Sequence, residues 1–148
     1  MYQKQIAVLK DSIKQATQQQ GTKALSAKMF EIFFQRYPEA QEYFAEYNLA
    51  QLGDLKFQIL TEIIVDTLEF PNFASGFVDE EVYRHFHVHS LKDREYYFGL
   101  IDAIYEAIKI ALNTQWNEQV DKCWRDAIAG MRYNIDIASK ENIKTANV

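Results

Sequence analysis

Two prolines and five glycines are all that punctuate 148 residues. Between them the apolar side chains recur every three or four positions, not every two. That period belongs to the α-helix, and so few breakers leave room for long helices, so an all-α chain is expected. Ile6, Leu9, Ile13 and Ala16 mark a first amphipathic helix, closed by the polar run Gln18-Gln19-Gln20-Gly21, and Leu25, Met29, Phe30, Phe33 and Phe34 mark a second. Pro38 is expected to open a short helical segment, because proline has its φ preset for a first turn and needs no donor there. Leu52, Leu55, Ile59 and Ile63 form one face of a helix that must stop near Phe70, ahead of Pro71. A shorter helix is expected over Asp79 to Val88. Asp93 reads as the N-cap of the strongest helix, in which Tyr97, Leu100, Ile101, Ile104, Ile108 and Leu112 keep the helical rhythm. Asn113-Thr114 ends it. A last helix runs through Trp116, Val120, Trp124, Ile128 and Met131, with fraying expected from about Lys140.

The length is that of one ordinary domain, and 48% hydrophobic residues suffice for a buried core, so residues 1–148 are read as a single domain. A net charge of −5 and a pI near 5.2 provide no basic face for phosphates, which argues against nucleic acid and anionic membranes as partners. Cys123 is the one cysteine and cannot form an internal disulfide, and Met1 precedes Tyr-Gln-Lys-Gln rather than an apolar run; a cytoplasmic location is expected. The longest apolar cluster, Ile59 to Leu68, is broken by Thr61, Glu62, Asp66 and Thr67, so no membrane span is expected. Ten Phe, nine Tyr and two Trp exceed what a small helical core built from Leu and Ile needs. They imply either an aromatic core or the lining of a large flat ligand.

All three histidines fall in one stretch, Arg84-His85-Phe86-His87-Val88-His89-Ser90. At roughly 100° per residue on a helix, His85 and His89 share a face one turn apart, whereas His87 points away and shares a stripe with Tyr83. A zinc site would use His85 with His89 and still need two more ligands. The chain has no second cysteine and no carboxylate at a recognisable ligand spacing, and Glu80 and Glu81 read as solvent-facing acids of a first turn. A metal clip, a solvated helix end, or one axial ligand with two bystanders are the readings the residues themselves leave open. Other chemistry finds no support. There is no Ser/His/Asp arrangement and no glycine-rich phosphate loop, and Cys123, inside the last helix beside Lys122, is expected to be buried and inert.

Residues Phe30 to Phe44, FEIFFQRYPEAQEYF, resemble the second and third helices of the globin family, where a proline starts the short third helix and a phenylalanine six residues later packs on the haem; Pro38 and Phe44 keep that spacing. The run IAVLKDSIKQATQQQGTKALSAKMFEIFF is most similar to bacterial single-domain globins and the haem domain of flavohaemoglobins, including Lys10, Gly21 and Lys23. HVHSLK, with Leu91, resembles the segment after the proximal histidine of vertebrate haemoglobin α-chains. Tyr97 stands ten positions after His87, as an aromatic often does in the family, and KCWRDAI places Trp124 where the family's last helix has a tryptophan. The resemblance covers about Ile6 to Ile137.

The resemblance implies a globin fold of six to eight helices around a haem pocket. Haem b would be held noncovalently, since no CxxCH motif is present, with His87 as the axial iron ligand and His85 and His89 as bystanders. The second ring nitrogen of His87 would donate to a backbone carbonyl around Tyr83 or Arg84. Phe44, Tyr83, Leu91 and Tyr97 are carried over as haem contacts, and Arg84, His89 and Lys92 as candidates for the propionates. On the opposite side Phe30 falls where many bacterial globins have tyrosine, Leu55 at the usual His or Gln position, and Ile59 one turn on. Gln51 and Gln58 are the alternative registers; the second would turn Glu62 toward the haem, an expensive unpaired charge.

An apolar distal pocket would lack the donor that stabilises iron-bound dioxygen. One charge-assisted bond of about 1.5–3 kcal/mol is roughly ten- to a hundredfold in affinity. Only Tyr43 or Tyr47, swinging inward, would replace that donor. The implied function is reversible binding of a diatomic gas, oxygen, carbon monoxide or nitric oxide, as carrier or sensor. Nitric oxide dioxygenation would need an external reductase, and Ser139 stands where the family has an acid fifteen residues after the tryptophan. The alternative is a globin-like helical sensory or interaction domain that binds no haem.

Overall fold

The structure is a computed structural model that describes residues 2–88, 91 and 93–146, the last four by their backbone alone. Among the described residues the chain is all-α: α1 (Tyr2–Gln20), α2 (Thr22–Arg36), α3 (Leu49–Glu69), α4 (Pro71–Val88), α5 (Arg94–Leu112) and α6 (Glu118–Ala146), with 3-10 segments at Pro38–Phe44 and Asn113–Gln115. No described helix is long and apolar enough to cross a membrane.

Local chemistry sets the breaks. Gly21, at φ 81°, turns the chain between α1 and α2 in a region where any side chain is strained. The Asn48 side chain caps α3 by accepting from the Gln51 N–H at 3.2 Å, and Asp93 caps α5 by accepting from the Glu95 N–H at 2.9 Å. Phe70 closes α3, its N–H donating to the Asp66 carbonyl, and Pro71 opens α4 at once.

Trp116 lies just ahead of α6 rather than inside it, and two further boundaries differ more widely from the sequence expectation. Helix α4 begins at Pro71, not Asp79, because Ala74, Val78 and Val82 form one buried stripe at four-residue spacing that the stretch Asn72 to Gly76 does not interrupt. Helix α6 continues past Lys140, whose amine pairs with Asp136 at 2.9 Å, and the buried Asn142 side chain donates to the Ala138 carbonyl at 2.8 Å.

The helices share one core. Helix α2 packs on α5 and α3, α4 packs on both α3 and α6, and α1 lies across α3, α5 and α6. Trp124, Phe57, Leu9, Met29, Ile64, Ile104 and Ile108 are its largest fully buried side chains. One close approach fixes the register that matters below. A Cβ on Gly53 would lie 2.6 Å from Phe30 Cε2, so the bare backbone of α3 rests directly on the ring from α2. That crossing turns Gly53, Phe57, Thr61 and Ile64 into the core.

Candidate functional site

The helices leave a cavity of about 300 Å³ between α3, α4 and α5, closed by the 3-10 segment and the inner face of α6. Leu52, Lys56 and Leu60 reach it from α3. Phe77, Val78, Glu81, Val82 and His85 line it from α4, Tyr97, Leu100 and Ile101 from α5, and Met131 and Ile135 from α6. Phe44 closes one end, flanked by Tyr43, Tyr47 and Tyr96. Most of this wall is apolar or aromatic, and a few polar groups converge in it, the usual composition of a small-molecule site.

Phe44 is held by an aromatic stack. Its ring meets Phe30 edge-on at 5.2 Å between centroids and Phe34 at 5.7 Å, and Phe30 stacks on Phe34 at 5.3 Å. Each edge-to-face pair stabilises by about 0.5–1.5 kcal/mol beyond area burial, so Phe44 is a rigid wall.

Four polar groups, His85, Tyr97, Lys56 and Glu81, carry the chemistry. His85 is 19% exposed, and its Nδ1 lies 2.7 Å from the Glu81 carbonyl one turn back. A carbonyl only accepts, so Nδ1 carries the proton, and when the ring is neutral its lone pair is on Nε2. The Leu91 N–H donates to the His85 carbonyl at 2.9 Å, and Leu91 lies in the wall. Tyr97 packs edge-on against His85 at 5.8 Å, and its buried hydroxyl has no hydrogen-bond partner among the described residues. Burial, with the Glu81 carboxylate adding to it, pushes the Tyr97 phenol well above its ordinary value. Lys56 enters from α3 and makes no ion pair among the described residues; desolvation lowers its pKa, opposed by Glu81 and assisted by Arg84. The Glu81 carboxylate pairs with Arg84.

The residues expected from the sequence divide between the cavity and other places. Phe44, Leu91 and Tyr97 line it together. Phe30 is buried behind Phe44. Leu55 is 57% exposed and Ile59 packs on the core, both outside the lining, so the expectation of a Leu55 and Ile59 wall is not what the helix presents. The cause is the Gly53 crossing. Leu55 lies roughly 200° around α3 from Gly53, while Leu52, Lys56 and Leu60 flank the buried stripe on its cavity side. Gln51 and Gln58 are exposed as well. On α4, His87 and Tyr83 are both exposed and meet at 4.3 Å with their rings tilted by 45°, outside the cavity lining, whereas His85 lies in the wall. Glu81, expected in solvent, lies in the wall too. His89 and Lys92 lie outside the described residues.

Sequence reasoning missed His85, Glu81 and Lys56 as wall residues. Signals for them existed. His85 continues the Ala74, Val78, Val82 stripe at the next three-residue step, and Lys56 is a lone cation four residues from both Leu52 and Leu60. No group of three or more His, Cys, Asp or Glu among the described residues is placed to hold a bare metal ion. No protein family, curated protein or solved structure matches this chain.

Proposed function

We propose that the cavity binds haem b noncovalently, with His85 rather than His87 as axial ligand, in a globin fold, and that the protein reversibly binds a diatomic gas as carrier or sensor. The observation that carries this reading is the His85 imidazole. It stands in a largely apolar, aromatic wall and is oriented by a backbone carbonyl on Nδ1, so that the neutral ring would carry its metal-binding lone pair on Nε2. Axial histidines of haem proteins need that combination of rigid helix, acceptor and dry surroundings. The remaining residues fit the group. Phe44, held edge-on by Phe30 and Phe34, offers a flat ring, Leu52, Leu60, Val78, Val82, Leu100 and Ile101 offer apolar surface, and Arg84, 57% exposed beside the cavity, suits a carboxylate at the ring's edge. The orphaned Tyr97 hydroxyl awaits a polar partner. Bound iron would supply an open coordination position for a gas. The chain's own part is to orient His85, exclude water and shape the opposite side. Redox turnover would draw on an external reductase.

Hemin titration of the purified protein tests the proposal. The expected result is an intense Soret band saturating at one haem per chain. His85→Ala should lose most haem retention, while His87→Ala should leave the spectrum unchanged. If a folded protein takes up no hemin, the proposal fails; if His87→Ala alone empties it, the ligand assignment fails. The second reading, a helical sensory or interaction domain without haem, is favoured by one observation. The Glu81 carboxylate lines the cavity, where a haem face would have to be desolvated against it.

A further inference from the structure

Lys56 is the charged group of the cavity that the haem reading leaves without a task. It lines the cavity from α3 and makes no ion pair among the described residues. A lysine head kept from water without an anion is costly, and burial lowers its pKa accordingly, against the attraction of Glu81. Apart from the His85 imidazole, the charged side chains of the lining are Lys56, Glu81 and Arg84, two cations and one carboxylate. Glu81 pairs with Arg84, which leaves one positive charge over. The Glu81 charge acts on both the Lys56 amine and the Tyr97 phenol, so both donors lie within electrostatic reach of the same carboxylate. The Tyr97 hydroxyl is buried and has no hydrogen-bond partner among the described residues. Most of the remaining wall is apolar or aromatic.

We propose that in the haem-free protein this cavity takes up an amphipathic organic monocarboxylate, its head between the Lys56 ammonium and the Tyr97 hydroxyl and its apolar body along the wall. A carboxylate has acceptor sites for both donors, and the bond from an ammonium is charge-assisted. One negative charge cancels the surplus in the lining, whereas a dianionic head such as a phosphate monoester would set a second charge against Glu81. A volume of about 300 Å³ equals roughly ten water molecules at liquid density, and a methylene takes about the space of a water, so the apolar body has roughly ten carbons. The proposal goes beyond the haem reading and shares its cavity, so the carboxylate and haem exclude each other.

The test is isothermal titration calorimetry of the full, haem-free chain with two probes that share the head, decanoate and naphthoate. Each is expected to saturate at one per chain, and the tighter of the two tells a chain-like body from a flat one. Decanol, with the same tail and no charge, should bind about tenfold to a hundredfold more weakly than decanoate. Lys56→Met should remove that difference, and Lys56→Arg should keep most of it. Each methylene removed from the tail should weaken binding by up to about fourfold. Decylammonium is the counter-probe, because Glu81 lines the same cavity; tighter binding of the amine than of decanoate overturns the proposal. So does a folded protein that takes up neither carboxylate, or a Lys56→Met protein that binds decanoate undiminished. Circular dichroism of each variant separates loss of the site from loss of the fold, and the decanoate and decanol comparison on unmodified protein decides the matter if Lys56→Met does not fold. Carboxylate binding without hemin uptake removes the haem reading alone, and hemin uptake without carboxylate binding removes this proposal alone. Where both bind, decanoate should raise the hemin concentration needed for half-saturation.

Discussion

Two aromatic clusters, one at each end of α5, are built from the same residue types and finished differently. At the C-terminal end Trp124, Trp116 and Tyr105 pack within 6.4 Å of one another, and every polar atom has a partner. Trp124 Nε1–H donates to Ser12 Oγ at 2.9 Å, and the Ser12 hydroxyl donates on to the Leu9 carbonyl at 2.7 Å. Asp121 accepts from the Tyr105 hydroxyl and from Trp116 Nε1–H, and pairs with Arg125 at 2.8 Å. At the N-terminal end, around the cavity, the Tyr97 hydroxyl is orphaned and Lys56 makes no ion pair among the described residues. A cluster with all its hydrogen bonds made is a strut. One with open valences, next to a cavity, is a place where a bound molecule could supply the missing partners, because an unpaired buried polar group costs stability until it is paired.

The largest expected effect separates the two ends directly. Trp124→Ala removes the biggest fully buried side chain and leaves Ser12 short of a donor, and it should lower unfolding free energy by about 3–5 kcal/mol in urea titrations. Tyr97→Phe, at the other end, removes a buried hydroxyl that has no partner among the described residues, so it should be neutral or stabilising by up to about 1 kcal/mol in the haem-free protein. Equal destabilisation by the two substitutions would mean that the Tyr97 hydroxyl is paired and that the contrast between the ends is false.

An intermediate effect concerns the hinge between core and cavity. Gly53→Ala forces a methyl group against the Phe30 ring, and overpacking of this kind costs about 1–3 kcal/mol. Because the same contact sets the rotation of α3, this variant should also loosen hemin binding, whereas Gly76→Ala, with open space around it, should do neither. Loss of stability without any change in hemin affinity would uncouple the crossing from the placement of Lys56.

The same crossing explains what was legible in the sequence. Helices showed plainly, because a 3-4 period with a cap at Asp93 and breakers at Gly21 and Pro71 is local information. The chain's all-α character, the buried Cys123 and the cavity positions of Phe44, Leu91 and Tyr97 followed from it or from the resemblance. Which side of α3 faces the cavity is not local. The Leu52, Leu55, Ile59, Ile63 stripe and the Leu52, Lys56, Leu60 stripe share residues and differ by less than a quarter turn, and only the contact of Gly53 with Phe30, 23 positions earlier in the chain, chooses between them. On α4 the periodicity separated His87 from His85 but did not say which faced inward. Starting the helix at Asp79 hid Ala74 and shortened the stripe that points to His85.

The smallest expected effect is the share of the pH dependence that the saturated end contributes. Burial, reinforced by the hydrogen bond to Asp121, raises the Tyr105 phenol from 10.0 to about 12, and that same bond, ahead of those from Trp116 and the charge of Arg125, holds the Asp121 carboxyl below its ordinary range. The folded state thus keeps the Tyr105 proton more tightly than the unfolded chain does. Its contribution is fully present below about pH 10 and falls away as pH rises toward about 12. Asp121 has the opposite sign. Its contribution is present above the ordinary carboxylate value and is lost as pH falls through its depressed folded value. The group is partly solvated, so the acid limb should be shallow. Urea midpoints followed to high pH should decline in the unmodified protein between about pH 10 and about pH 12, and the decline should become shallower in Tyr105→Phe, the remainder belonging to the raised Tyr97 phenol. An undiminished decline in that variant would assign it to the other tyrosines, Tyr97 foremost, and would move the pH sensitivity to the cavity end.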